Sequence, residues 1–418
     1  MAKIRWIGGA IAVAQVDTVT PANVEIGDIF KITLTDDAGH SYQISYTAAA
    51  ATVKDVVEGL KALAVAAKSA GYSPWADVTV TEDDAKCTIA ADDAGVPFYV
   101  ATATVDGGGN NTQTLVDANI TPNSGPNDAK TAANWSGGAL PVAADEVSID
   151  RTADNILYGL DFSAVLLARL LLPASFTGKL GQAEVLGAGY FRVGATIVNI
   201  GEQPGSVSLN GSPRIKLDLG ADASTIVVYS TSAAAEESDI GLPPVRILCN
   251  NAATVLHLKK GKAAVAGEIF SEVSTLASAQ QSWTDSQATD TELTLGEGCT
   301  IPELTKTGGS AVVNCALTTL TQRGQGTCET RGAGAVGAMA IYGGTVYPNA
   351  TGQIGAITID GDGATVDFTR STQPREVASD IICRLGDVAF DPDVVAGPGS
   401  AVLVVRSDEP VKYAATKA

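Results

Sequence analysis

Four phrases in the second half of the chain share one short grammar. They are Leu304-Thr-Lys-Thr-Gly-Gly, Leu320-Thr-Gln-Arg-Gly, Met339-Ala-Ile-Tyr-Gly-Gly-Thr-Val and Ile357-Thr-Ile-Asp-Gly-Asp-Gly-Ala-Thr-Val, with starts 16, 19 and 18 residues apart. Each reads as a short strand, a glycine corner and another short strand. A strand of three to five residues cannot bury its inward face alone. Stacking parallel copies at ~4.8 Å buries a continuous apolar column and pairs the main-chain groups. From Trp135 onward there is no sustained helical period. The expected class is therefore mainly β: a small N-terminal α+β domain followed by a single-stranded parallel β-helix, or solenoid. About 260 residues at ~18 per turn predict on the order of 14 turns and a rod near 65–70 Å. A β-sandwich, with turn signals every 8–12 residues, is the alternative.

The boundaries follow the change of grammar. Residues 1–125 read as an α+β docking module, 126–144 as linker and cap, 145–406 as the solenoid and 407–418 as a tail. Within the module, Val24 to Thr35 and Tyr42 to Thr47 alternate around Asp36-Asp37-Ala38-Gly39, which predicts a hairpin. A helix follows, capped by Thr52 with Asp55 as a capping-box variant. It carries Val53, Val56, Val57, Leu60, Leu63, Ala64 and Ala67 on one face, and Gly71 and Pro74 end it. Asp77 to Thr81, Cys87 to Ala90 and Phe98 to Val105 complete the expected sheet. The stretch Thr121 to Asp128 reads as the linker. Ser230 to Pro244 and Gln280 to Asp290 read as loops thrown out from the stack, and Ala401 to Arg406 as a last strand. Lys3 and Arg5 precede an apolar run, Trp6 to Ala14, with signal-peptide character. That run holds two glycines and no leucine, so an arm or first strand is the better reading.

A net charge of −19 removes the basic footprint that nucleic-acid or anionic-membrane binding needs. Charged residues are 17% and aromatics 5%, which suits narrow, tightly stacked sheets better than a large globular core. No apolar run approaches the ~20 residues of a membrane helix.

Chemistry-bearing motifs are sparse. No Walker A loop, nucleophile elbow or zincin helix occurs, so no catalytic, cofactor or metal residues are assigned. His40 and His257 are the sole histidines; one sits in the hairpin turn and the other in an alternating strand. Asp360-Gly-Asp-Gly lacks the glutamate of an EF-hand and reads as a corner. Adjacent carboxylates such as Asp83-Asp84 point to opposite faces of a strand and make no glycosidase pair. Six cysteines include no C-x-x-C pair. Cys299, Cys315 and Cys328 lie 16 and 13 residues apart, close to one turn, so they can stack in adjacent turns or face a neighbouring subunit. With Cys249 and Cys383 they are the candidate disulfide or inter-subunit thiols, buried free thiols being the default. Trp135 is the candidate cap, laid over the open first turn to shield the apolar column.

The run Asn134-Trp-Ser-Gly-Gly-Ala-Leu-Pro-Val-Ala-Ala-Asp-Glu-Val-Ser-Ile resembles tailed-bacteriophage structural proteins. So do Ile156-Leu-Tyr-Gly-Leu-Asp-Phe-Ser-Ala-Val, Ala174-Ser-Phe-Thr-Gly-Lys-Leu-Gly and Ile341-Tyr-Gly-Gly-Thr-Val-Tyr. Ala-Ala-Thr-Val-Lys-Asp-Val at 50–56 and Ala-Gly-Val-Pro-Phe at 94–98 are similar to a small module of the same proteins. Ala144-Asp145-Glu146 stands where relatives often carry Gly-Asp-Asp. The resemblance implies a non-enzymatic virion component without cofactor, a homotrimer that docks on the major capsid protein or another virion protein. The leading expectation is a capsid decoration or head-fibre subunit on the head surface. The alternative is a tail fibre or tailspike that binds, and in one version cleaves, host polysaccharide, using Trp135, Trp283, Tyr158, Tyr190, Tyr229, Tyr342 and Tyr347. A cell-surface adhesin is the third reading.

Overall fold

The computed structural model describes residues 2–150, 153–183, 189–202, 214–231, 243–266, 272–281, 291–370, 377–379 and 381–389. Most of the expected loops Ser230 to Pro244 and Gln280 to Asp290, the last strand at 401–406 and the tail at 407–418 lie outside them; Gln280 and Gln281, read as loop, instead end the strand Ser278–Gln281. The chain is mainly β, 51% strand and 7% helix, and most of the strand belongs to one large parallel sheet.

That sheet consists of two parallel ladders that alternate along the chain. One runs through Thr225–Val228, Val255–Leu258, Ser278–Gln281, Glu303–Lys306, Leu317–Gln322 and Val336–Ile341. The other runs through Arg214–Asp218, Val245–Leu248, Lys262–Val265, Glu292–Leu295, Ser310–Val313, Thr327–Thr330 and Gly344–Pro348. At the far end, Ile354–Asp367 pairs with both ladders, because its first half continues the first and Ala364 to Val366 continue the second. The Asp360-Gly-Asp-Gly corner thus lies inside a long, bent strand, with Asp360 in an ion pair with Arg384.

In-register stacking produces the core directly. Val147, Leu170, Val198, Ile226, Leu256, Ala279, Leu304, Leu320, Met339, Ile357 and Ile381 follow one another across successive pairings, and all are buried. A second column, in the other ladder, runs Ile215, Val245, Ala263, Leu293, Ala311, Cys328 and Val346. Residues of both columns belong to one buried hydrophobic cluster. The repeat is less regular than the phrases predict. Glu303 pairs with Thr319, and Thr319 with Ala338, at the expected spacing. Thr225, however, pairs with Val255, thirty residues on. The fixed quantity is the strand pairing, and the corner segments absorb the variation in length.

The N-terminal residues carry a separate hydrophobic cluster. Ile29–Asp36 and Ser41–Thr47 form the expected hairpin. The strands do not form one sheet: Ser41–Thr47, Ile29–Asp36 and Phe98–Val105 make a three-stranded sheet, while Val78–Glu82, Cys87–Ala91, Val16–Ala22 and Thr114–Thr121 make a four-stranded one. The helix Val53–Ser69 packs on Ser41–Thr47 and Val78–Glu82, burying Val56, Val57, Leu60, Ala64 and Ala67. Thr52 caps it as expected, accepting from Asp55 N at 3.3 Å. The capping box is modified, because the Asp55 carboxylate accepts from Ala49 N and Ala50 N at 2.8 and 3.0 Å instead of from the cap residue.

Candidate functional site

Among the described residues, the parallel core is interrupted by a run of polar side chains. In the column Leu258, Gln281, Lys306, Gln322, Ile341, three successive inward positions are polar. Lys306 and Gln322 are fully buried and Gln281 nearly so. Each donates to main-chain carbonyls of the adjoining corners. Gln281 Nε2 reaches Thr291 O at 3.1 Å and Ser310 O at 2.8 Å. Lys306 Nζ reaches Gly308 O at 2.9 Å and also Gly309 O. Gln322 Nε2 reaches Gly326 O at 3.1 Å. The corners are glycine for a steric reason as well as a conformational one. At Gly344, with φ +69°, a Cβ would stand 2.5 Å from Gln322 Nε2. Burial pushes the Lys306 ammonium down to about 8, against a weaker opposing effect of Cys328. The same burial pushes the Cys328 thiol up to about 12.

A second cluster sits on the outward side of the second ladder. Lys216 pairs in register with Arg246, and both are buried because Tyr190 and Glu272 roof them. Tyr190 Oη donates to Glu272 at 2.6 Å, and Arg246 Nη2 donates to both Glu272 oxygens at 3.1 and 3.3 Å. Lys216 Nζ lies 4.6 Å from the Tyr190 ring centre. Burial, then the Glu272 charge, raises the Tyr190 phenol far above its ordinary value. Burial lowers Arg246, with Glu272 opposing. These groups hold one another, which suits a structural cluster.

At the start of the array, Trp135 is fully buried. It packs edge-on to Trp6 at 4.9 Å and to Phe162 at 6.4 Å, and its Nε1 donates to Ala129 O at 2.8 Å. The segment read as linker is packed rather than free. Asn134 is fully buried, donates to Gly125 O and Asp128 O, and accepts from Ala10 N. The expected first strand is shorter and earlier than the apolar run: Lys3–Arg5 pairs in parallel with Glu146–Ser148.

The six cysteines are buried, and none is disulfide-bonded in this structure. Cys328 stacks between Ala311 and Val346, and Cys383 against Ile359. Cys249, Cys299 and Cys315 share a corner. The aromatic platform is dispersed. Trp135 and Tyr190 are interior, and Tyr229, Tyr342 and Tyr347 each already carry a cation, Lys259, Arg323 and Arg370; Trp283 lies outside the described residues. His40 bonds Asp36 at 2.8 Å within its hairpin turn. His257 stands on the outward side of its strand, lowered by burial and Lys259. Among the described residues, no three His, Cys, Asp or Glu side chains are placed to hold a metal, and no helix is long and apolar enough to cross a membrane.

The polar column was legible in principle. In Glu303-Leu-Thr-Lys306, alternation places Lys306 on the same side as Leu304, the core side. The lysine's chemical type masked that signal. The outer cluster had none, because Tyr190 and Glu272 come from connections far from Arg246 in sequence.

Compared with known protein families, curated proteins and solved structures, the chain matches none of them.

Proposed function

We propose that the two ladders are faces of one parallel β-solenoid and that the chain is a non-enzymatic structural protein of a bacteriophage virion. In this reading it is a capsid decoration or head-fibre subunit that docks on and stabilises the head. The observation that carries the reading is the continuous apolar column from Val147 to Ile381. A stack of this length resists bending and presents its outward side chains at a fixed ~4.8 Å interval, which serves display and bracing. Residues 1–125 supply the docking module, with their own core. The titratable clusters favour the same reading, since Lys306 and the Arg246–Glu272 pair are spent on holding corners and roof in place.

The test is cryo-EM of intact particles, with the chain located and counted. Many copies spread over the head, as trimers, support decoration. A few copies confined to the tail tip would overturn it in favour of receptor binding, and purified protein that shortens host-surface glycans would remove the non-enzymatic assignment.

A further inference from the structure

Of the six cysteines, one pair lies in adjacent turns at the same corner. The register after the corner fixes this. Glu303 pairs with Thr319, sixteen residues on, the same spacing as Cys299 to Cys315, and the start of the corner takes up the difference from Leu295, which pairs with Val313 eighteen residues on. Pro302 O accepts from both Thr318 N and Thr319 N at 2.9 Å, which closes the corner on the spacing that puts Cys315 over Cys299. The two thiols contact one another. On the other side, Cys299 pairs with Ser274, and Cys249 N donates to Ser274 Oγ at 3.3 Å. The corner is thus a column of Cys249, Ser274, Cys299 and Cys315.

Adjacent parallel strands stand ~4.8 Å apart, inside the Cα separation of about 4.4–6.8 Å that a disulfide spans. Cys249 and Cys299 are two turns apart, about 9.6 Å, beyond its reach. Cys328 and Cys383 have Ala311, Val346 and Ile359 as register neighbours.

We propose that Cys299 and Cys315 are a built disulfide site, closed by a small peroxide oxidant, that staples two adjacent turns of the array. Cys315 is the attacking sulfur. The Cys299 thiol supports its thiolate and holds it below the ordinary range, whereas Cys299 itself is raised by that contact and by burial. Hydrogen peroxide transfers one oxygen to the Cys315 thiolate, its O–O bond breaks and hydroxide leaves. The Cys299 sulfur then displaces hydroxide from the sulfenic acid as the S–S bond forms. Overall, two thiols and one peroxide give one disulfide and two waters. Both cysteines are almost fully buried, so an oxidant as small as hydrogen peroxide suits the site better than a bulky disulfide reagent. The inference rests on strand register and the contact of the two thiols, and is independent of the virion reading.

The experiment treats the full-length protein with hydrogen peroxide, removes the oxidant, unfolds the protein and counts its thiols. Trypsin cuts after Lys306 and separates the two cysteines, so mass spectrometry reads the link directly. Six thiols are expected to fall to four, with one cross-linked pair of peptides containing Cys299 and Cys315, reversed by dithiothreitol. The cross-linked protein is expected to unfold at a higher urea concentration. Cys299→Ser and Cys315→Ser should each keep the remaining five thiols free of any intrachain link. Six surviving thiols, a link through any other cysteine, or sulfonic acid on Cys315 without a link would overturn the proposal. The wild-type peptide map decides it even where a serine variant fails to fold.

Discussion

Trp6 and Trp135 meet edge to face, ring centres 4.9 Å apart and planes at 82°, and their main chains form an antiparallel bridge. The pair joins the first residues of the chain to the segment that opens the parallel array. Phe162 and Phe191 continue the aromatic stack from Trp135 inward, with ring centres 5.6 Å apart.

Removing either ring should therefore be costly. Trp135→Ala is expected to destabilise by about 3–5 kcal/mol, the range for a buried aromatic truncation. Trp135→Phe should cost less, because it keeps an edge-to-face contact but leaves Ala129 O without its donor. Urea unfolding followed by tryptophan fluorescence measures both. Equal losses for the two variants would show that the hydrogen bond, not the packing, holds this end.

Lys306 should give the array an alkaline rise in stability. Its folded value is about 8 against an ordinary 10.5, so between those values the unfolded chain binds more protons. Its stabilising contribution is full above 10.5 and is lost as pH falls through about 8. A fall of that size corresponds to about 3 kcal/mol. Lys306→Met, of similar volume, is expected to flatten the pH dependence between 8 and 10.5, partly offset by two abandoned carbonyl bonds. Urea midpoints across that window check it, and an unchanged slope in the variant would rule the assignment out.

Asp37 carries the opposite sign. Burial, opposed by the Tyr99 hydroxyl at 2.8 Å and the Gly159 main chain, raises its carboxyl to about 6. Its contribution is full below about 4 and is lost as pH rises through about 6. Asp37 also lies within 3.5 Å of Gln182 Nε2, so the dependence belongs to the contact between the hairpin and the array. Asp37→Asn is expected to stabilise the protein at pH 7 by about 1–2 kcal/mol, the charge being only partly buried. Thermal melts at pH 4 and pH 7 should converge in the variant, and melts that keep the wild-type separation would sink the idea.

The alternating hairpin around Gly39, the stripe from Val56 to Ala67 and the glycine corners after Leu304, Leu320 and Met339 were all readable, because each is a local pattern with one geometric solution. The strand Thr114–Thr121 was not, since its buried side is largely one residue, Leu115. The even spacing of about 18 residues failed between Thr225 and Glu303, because pairing constrains the strands and leaves corner length free. Trp135 and the stacked Cys299 and Cys315 were visible as candidates from position alone. The partners Trp6 and Ser274 needed the register, which no local pattern contains.

The Arg246–Glu272 pair offers the sharpest test of how the outer face is held. Both side chains are about 5% exposed, so water does little to replace the opposite charge once it is removed. Removing one member of a buried pair typically costs about 3–5 kcal/mol, more than the pair itself contributes. Glu272→Gln keeps the shape and an acceptor for Tyr190 but abandons the Arg246 charge. Arg246→Met removes the cation opposite Glu272 but leaves it the Tyr190 donor. Each single variant is expected to lose about 3 kcal/mol or more. The double variant should lose clearly less than the sum, because neither charge is then stranded. A double-mutant cycle by urea unfolding measures the coupling. Additive losses would mean that Lys216 and Tyr190 already satisfy each charge separately, and that the roof is held by packing on Tyr190 rather than by the ion pair.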